Sequence, residues 1–268
     1  MYPHTHHETD QPILDVSHVA VRYNGQTALE DITFHLHEGE RVAIVGPNGA
    51  GKSTLIKLVA GVLPPTSGEV KIFGSRPRGH ICIGYIPQRS QVDWNFPVTV
   101  ADVVMMGRSA KLGPLNFPHK KDWEHVDHAL ETVELKNLAS RQIGQLSGGQ
   151  QQRMFIARAL AQESELMLMD EPLTGLDTPS QEGILGLLDR LKKENVTVMV
   201  ATHDLDQAIT HFDRIMLLNQ QIISFGKPES VMQTENLLQA YGGRLRSTEN
   251  GNIVAVDDCC DDEHDHVH

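Results

Sequence analysis

Arg41-Val42-Ala43-Ile44-Val45-Gly46-Pro47-Asn48-Gly49-Ala50-Gly51-Lys52-Ser53-Thr54 is the stretch that decides the fold. Its first five residues are an apolar, β-rich run, and a glycine cluster follows. From Lys52 to Val62 the pattern reads as a helix, with Pro64-Pro65 as its stop. Residues 46–54 fit a loop that cradles phosphate, in the required setting of strand before and helix after. Glycines let the backbone curl until successive N–H groups point inward at an anion. The helix N-terminus adds partial positive charge. Lys52 can reach the β- and γ-phosphates of a nucleotide, and the Ser53 hydroxyl can ligate Mg²⁺. Gly46, Pro47, Asn48, Gly49, Ala50, Gly51, Lys52, Ser53 and Thr54 are the expected nucleotide-binding residues.

Outward from this loop, three more apolar runs have strand length: HICIGYIPQ (80–88), ELMLMD (165–170) and VTVMVATH (196–203). Continuous apolarity suggests strands buried on both faces, as in a parallel sheet covered by helices, although periodicity alone leaves ELMLMD open to a buried helix. Four of these strands end in a loop-opening or polar residue: Gly46, Gln88, Asp170-Glu171 and His203. Parallel strands bring those ends to one edge, where ligands of open α/β sheets bind. Each also has an ordinary reading, as a turn glutamine, a capping acid or a surface histidine. Taken as one site, Asp170 holds Mg²⁺ together with Ser53, and Gln88 orients water and senses the metal. Glu171 polarises the attacking water, and His203 contacts the γ-phosphate. Tyr23, in a turn-like stretch, is either an adenine-stacking ring or a strand-end tyrosine.

A second anion site is suggested by Leu146-Ser147-Gly148-Gly149-Gln150, which precedes a strong helical pattern. Ser147 and Gln150 stand at capping-box spacing, and two glycines at a helix N-terminus leave backbone N–H groups open to an anion. A plain cap-and-turn is the alternative. Two anion sites but one phosphate loop point to a second site that serves a partner's nucleotide.

Over residues 12–235 these motifs, in this order, resemble the ATP-binding-cassette (ABC) ATPases. The resemblance rests on Tyr23, residues 46–54, Gln88, LSGGQ at 146–150, LMLMDE ending at Glu171, a dimer loop Thr174-Gly175-Leu176-Asp177, and His203. It implies a RecA-like parallel-sheet core, an N-terminal antiparallel β region and a helical subdomain inserted at about 89–164. It also implies two cassettes sandwiching two ATP molecules head to tail. Ser147, Gly148, Gly149 and Gln150 of one cassette then face the γ-phosphate held by the other. Residues 89–108 resemble the corresponding stretch of manganese, zinc and iron importers, the manganese group most of all. The implied role is an ATPase subunit that powers metal-ion import. Its partners would be an integral-membrane permease, a second copy of itself and a periplasmic or extracellular metal-binding protein. Trp94 and Phe96 either receive the permease or pack within their own subdomain. The alternatives are a zinc or iron importer motor, or a soluble ABC ATPase of cofactor assembly without a permease.

Composition agrees with this picture. The 268 residues are 40% hydrophobic and 22% charged, an ordinary globular balance. A formal net charge of -12 argues against nucleic acid as partner. The leader 1–11 has neither a basic nor an apolar region, and no apolar run approaches about 18 residues. The expected location is peripheral, on the cytoplasmic side of the bacterial inner membrane. Three cysteines, Cys82, Cys259 and Cys260, make no disulfide framework. Residues 236–268 are expected to be a small element and then a disordered acidic tail. His4, His6, His7, Cys259, Cys260, His264, His266 and His268 are metal-binding types, and thiolate and imidazole favour zinc or copper over manganese. A solvated tail with incidental histidines is the plainer reading.

Overall fold

The computed structural model describes residues 12–76, 83–112 and 117–242, and the backbone of 245–247 and 253–255. Cys82, the terminal histidines, Cys259 and Cys260, residues 113–116 and the leader lie outside the described residues.

Strands β1 (Leu14–Tyr23) and β2 (Gln26–Leu36) precede β3 (Arg41–Val45), helix α1 (Lys52–Val59), β4 (Ser67–Ile72) and β5 (Ile83–Ile86). A helical stretch follows: α2 (Val100–Met106), α3 (Ser109–Leu112), α4 (Lys120–Thr132) and α5 (Gly148–Ala161). The chain then returns to alternating elements with β6 (Leu166–Asp170), α6 (Thr178–Lys193), β7 (Thr197–Ala201), α7 (Leu205–His211) and β8 (Arg214–Asn219). It ends in β9 (Gln221–Gly226), α8 (Pro228–Val231), α9 (Thr234–Tyr241) and the short antiparallel pair β10 (Leu245–Ser247) and β11 (Ile253–Ala255).

The core sheet has the order β5-β6-β7-β3-β8-β9. It is parallel except for β9, which runs antiparallel to β8 at the edge. A separate antiparallel sheet, β2-β1-β4, covers one side. Successive strand residues feed two cores: Val42 and Ile44 pack with the antiparallel sheet and α1, whereas Ala43 and Val45 pack with the other helices. Both faces are therefore dry, which explains the unbroken apolarity of residues 166–169 and 198–201 and excludes a helix there. The polar ends of these strands are left as the place where chemistry can sit.

One helix end differs from its sequence reading. Helix α1 stops at Val59, three residues before Val62. Gly61 adopts φ 71°, its N–H bonds the Leu58 carbonyl, and the Val62 N–H bonds that of Lys57. This paired pattern closes a helix around a left-handed glycine, so Gly61 ends α1 before the prolines are reached.

Candidate nucleotide site

Gly46 leaves β3 where the chain passes under another strand's end. A Cβ built there would lie 2.0 Å from the Leu218 carbonyl oxygen, so no other residue fits without moving backbone. The loop turns through an Ala50 N–H bond to the Pro47 carbonyl and delivers Lys52 as the first residue of α1. Lys52 is buried, and its Nζ donates to the carbonyls of Gly46 at 2.7 Å and Pro47 at 3.0 Å. The ammonium therefore folds back over the loop rather than pointing to solvent. Gly51, the N-cap of α1, supplies no side-chain cap, and the first turn carries no acid. Nothing negative in the first turn competes with an anion for that helix end.

Asp170 closes β6 and is fully buried. Its Oδ1 accepts the Ser53 hydroxyl at 2.8 Å, which ties the strand end to the phosphate loop. Its Oδ2 is buried without a hydrogen-bond partner. Burial pushes the carboxyl above its ordinary range, the Ser53 bond opposes this, and neighbouring Glu171 adds to the rise. An unpaired carboxylate oxygen beside a serine hydroxyl is a hard oxygen donor set, which fits Mg²⁺.

Glu171 stands outside the strand. Its N–H still bonds the Ala201 carbonyl, but its φ of 50° turns it into the left-handed region. Asp170 and Glu171 diverge because the backbone bends there. Glu171 Oε2 accepts from Gln88 Nε2 at 3.4 Å and from Thr174 Oγ1 at 3.3 Å. Thus Gln88, two residues past β5, meets Glu171, one residue past β6. These residues, with Arg89, Ser90, Val92, Trp94 and Thr174, line an open cavity of about 390 Å³. His203 is exposed two residues beyond β7, whose Ala201 pairs with Asp170 in the sheet. Tyr23 ends β1 at 44% exposure, followed by the positive-φ pair Asn24 and Gly25. Its ring is open to stacking.

Ser147 caps α5 as its spacing with Gln150 predicts. Ser147 Oγ accepts the Gln150 N–H, and Gln150 Oε1 accepts the Ser147 N–H at 3.0 Å. A Cβ at Gly148 would meet Arg89 Nη1 at 2.7 Å and Leu176 Cδ2 at 2.8 Å, and one at Gly149 would meet Ser180 Oγ at 2.6 Å. The two glycines admit close neighbours at the helix start. Trp94 packs edge-on against Phe155 of α5, with ring centroids 5.8 Å apart, while Phe96 stays 56% exposed. The two aromatics thus divide between packing and display.

Two side chains at this site escaped the sequence reading: the Thr174 hydroxyl as a partner of Glu171, and Arg89, which reaches α5. From sequence Thr174 reads as the start of the dimer loop and Arg89 as the start of residues 89–108, and neither reading points to these contacts.

The ABC transporter family matches residues 29–174. The manganese transport system ATP-binding protein of Bacillus subtilis is 46% identical over 233 residues, 87% of this chain and 93% of that protein. The zinc transport system ATP-binding protein of Treponema pallidum is 44% identical, covering 88% of this chain and 89% of its own. The chelated iron transport system membrane protein YfeB of Yersinia pestis is also 44% identical, covering 88% of this chain and 81% of its own. Among solved structures, an ABC transporter assigned to the metal-chelate type, in an inward-facing conformation, matches with TM-score 0.79 and 30% identity, covering 92% of this chain and 99% of that one. The phosphate loop, the buried acid beside it, the capped LSGGQ helix and these likenesses lead to one conclusion: the chain belongs to the ABC transporter family, as an ATP-binding subunit.

Proposed function

We propose that the chain hydrolyses ATP to power import of a transition-metal ion, with manganese as cargo. The observation that carries the motor is the meeting of Ser53, Asp170, Glu171 and Gln88 at one sheet edge. Residues 46–54 bind the phosphates, and Lys52 neutralises charge on the β- and γ-phosphates. Ser53 and Asp170, with Gln88, hold Mg²⁺, which neutralises phosphate charge when bound. Glu171 orients and deprotonates water, held in place by Gln88 and Thr174. His203 contacts the γ-phosphate, and Tyr23 stacks on adenine. Ser147, Gly148, Gly149 and Gln150 serve the nucleotide of a second copy.

The cargo reading is supported by the manganese relative and by residues 89–108. The partners are an integral-membrane permease, a second copy, and an extracytoplasmic metal-binding protein reached through the complex. No helix among the described residues is long and apolar enough to cross a membrane. The subunit works peripherally, at the cytoplasmic face. The test is uptake of manganese, zinc and iron at limiting supply by cells lacking this chain. A selective manganese defect, restored by wild type but not by Glu171→Gln, is expected. A zinc or iron defect instead changes the cargo, and no defect overturns the importer reading.

A further inference from the structure

Gln88 and Arg89 are consecutive, yet they reach opposite sides of the site. Gln88 donates to Glu171. Arg89 turns the other way: its Nε donates to Gln151 Oε1 at 2.6 Å, and its Nη1 lies where a Gly148 side chain would begin. The Arg89 carbonyl accepts Trp94 Nε1 at 3.2 Å, and the Trp94 ring packs on Phe155. Gly148, Gln151 and Phe155 follow at steps of three and four, so one stripe of α5 carries the whole attachment. Gln151 is only 4% exposed, so its bond to a guanidinium is sheltered from competing water. Arg89 itself is exposed and is not needed to fill the core.

We propose that Arg89 is a positioning residue for hydrolysis: it fastens the first turn of α5, with Ser147–Gln150, to the loop whose Gln88 holds Glu171. The inference rests on the roles given above to Glu171 and Ser147–Gln150. A single peptide unit joins the two contacts, so a displacement of Gln88 is delivered to the turn that faces the second copy's nucleotide. The side chain of Arg89 bonds Gln151, and its carbonyl accepts from Trp94. Its effect belongs to turnover and not to ATP capture, because its hydrogen bonds run to α5 and to Trp94.

The experiment uses the full chain with its permease and compares Arg89→Ala, Gln151→Met, Gln151→Glu and the double variant Arg89→Ala/Gln151→Met. Phosphate release gives kcat, and equilibrium binding of a fluorescent ATP analogue gives affinity. Arg89→Ala and Gln151→Met should each lower kcat about tenfold, because small misplacements are costly. Affinity should stay within about twofold. The double variant should be no worse than either single change, because both remove one contact. Gln151→Glu, which keeps an acceptor, should hold kcat near wild type. Turnover of Arg89→Ala within about twofold of wild type would overturn the proposal, as would additive losses or a parallel fall in affinity. A wild type that hydrolyses no ATP would overturn the parent reading first, before any variant is compared.

Discussion

Glu171 is the residue at which strand geometry is given up. A φ of 50° is unfavourable for a long side chain and survives where surrounding contacts hold it, here the Ala201 carbonyl, Gln88 and Thr174. Glu171→Gln keeps the shape and its hydrogen bonds but removes the base proposed above. ATP binding should persist while phosphate release falls about 10²- to 10⁴-fold; turnover within threefold of wild type would place the base elsewhere. Asp170 gives a prediction of opposite sense, in stability. Its carboxyl is raised, so the folded chain holds that proton more tightly than the unfolded chain does. Its stabilising contribution is present below the ordinary carboxylate range and is lost as pH rises through the raised value. Ionising that buried carboxyl in the nucleotide-free protein is therefore costly. Asp170→Asn, which keeps the Ser53 acceptor, should raise the melting temperature by about 2 °C while abolishing hydrolysis; a lower melting temperature would refute that cost. The identities of Asp170 and Glu171 were legible because residue type and strand end coincide. The bend between them was not, because φ at one residue is set by distant partners.

Between elements, the helical stretch is held by a buried charge network that no local pattern announces. Arg108 donates to Asp122 Oδ1 at 3.2 Å, to the Ala161 carbonyl at 2.8 Å and to Glu163 Oε2 at 2.8 Å. Arg108 and Asp122 are both buried, so α4 and the ends of α2 and α5 meet around one guanidinium. Asp122 also accepts the His119 N–H at the start of α4. That bond first, then Arg108, holds its carboxyl below the ordinary range, with burial opposing. A lowered carboxyl stabilises above its unfolded pKa and loses that contribution as pH falls through the folded value. Asp122→Ala should cost about 3 kcal/mol, because it strands a buried guanidinium and uncaps α4. Urea unfolding at pH 7 measures this, and a cost below about 1 kcal/mol would mean that Glu163 alone satisfies Arg108. Sequence spacing did reveal the other cap, Ser147 with Gln150, because that bond spans three residues. The Arg108 contacts span 14, 53 and 55 residues and leave no periodic trace.

At the scale of the whole molecule, strand order is what gathers the site, and order is written in no single stretch. The runs at 41–46, 80–88 and 196–203 were legible as strands, and 165–170 as a strand or a buried helix; that β3 lies between β7 and β8 is a property of packing. The antiparallel β2-β1-β4 sheet followed only from family likeness, since its alternating residues could have faced any core. That arrangement puts the phosphate loop, Asp170 and Glu171 at one edge, and leaves the turn at Ser147 capped upon itself. If that turn serves a second copy, assembly should need nucleotide and should be opposed by charge. Each chain carries a formal net charge of -12, and bound ATP adds to it. Screening shortens the repulsion, with a Debye length of about 10 Å at 0.1 M salt. Glu171→Gln with ATP and Mg²⁺ should double its light-scattering mass, and more readily at about 0.3 M than at about 0.05 M salt. ADP should leave the mass of one chain. Adding Ser147→Arg to the same background should prevent doubling, because a bulky side chain replaces the cap facing the partner's phosphate. An unchanged mass in ATP at every salt concentration, or doubling that survives Ser147→Arg, would remove the second copy from the mechanism.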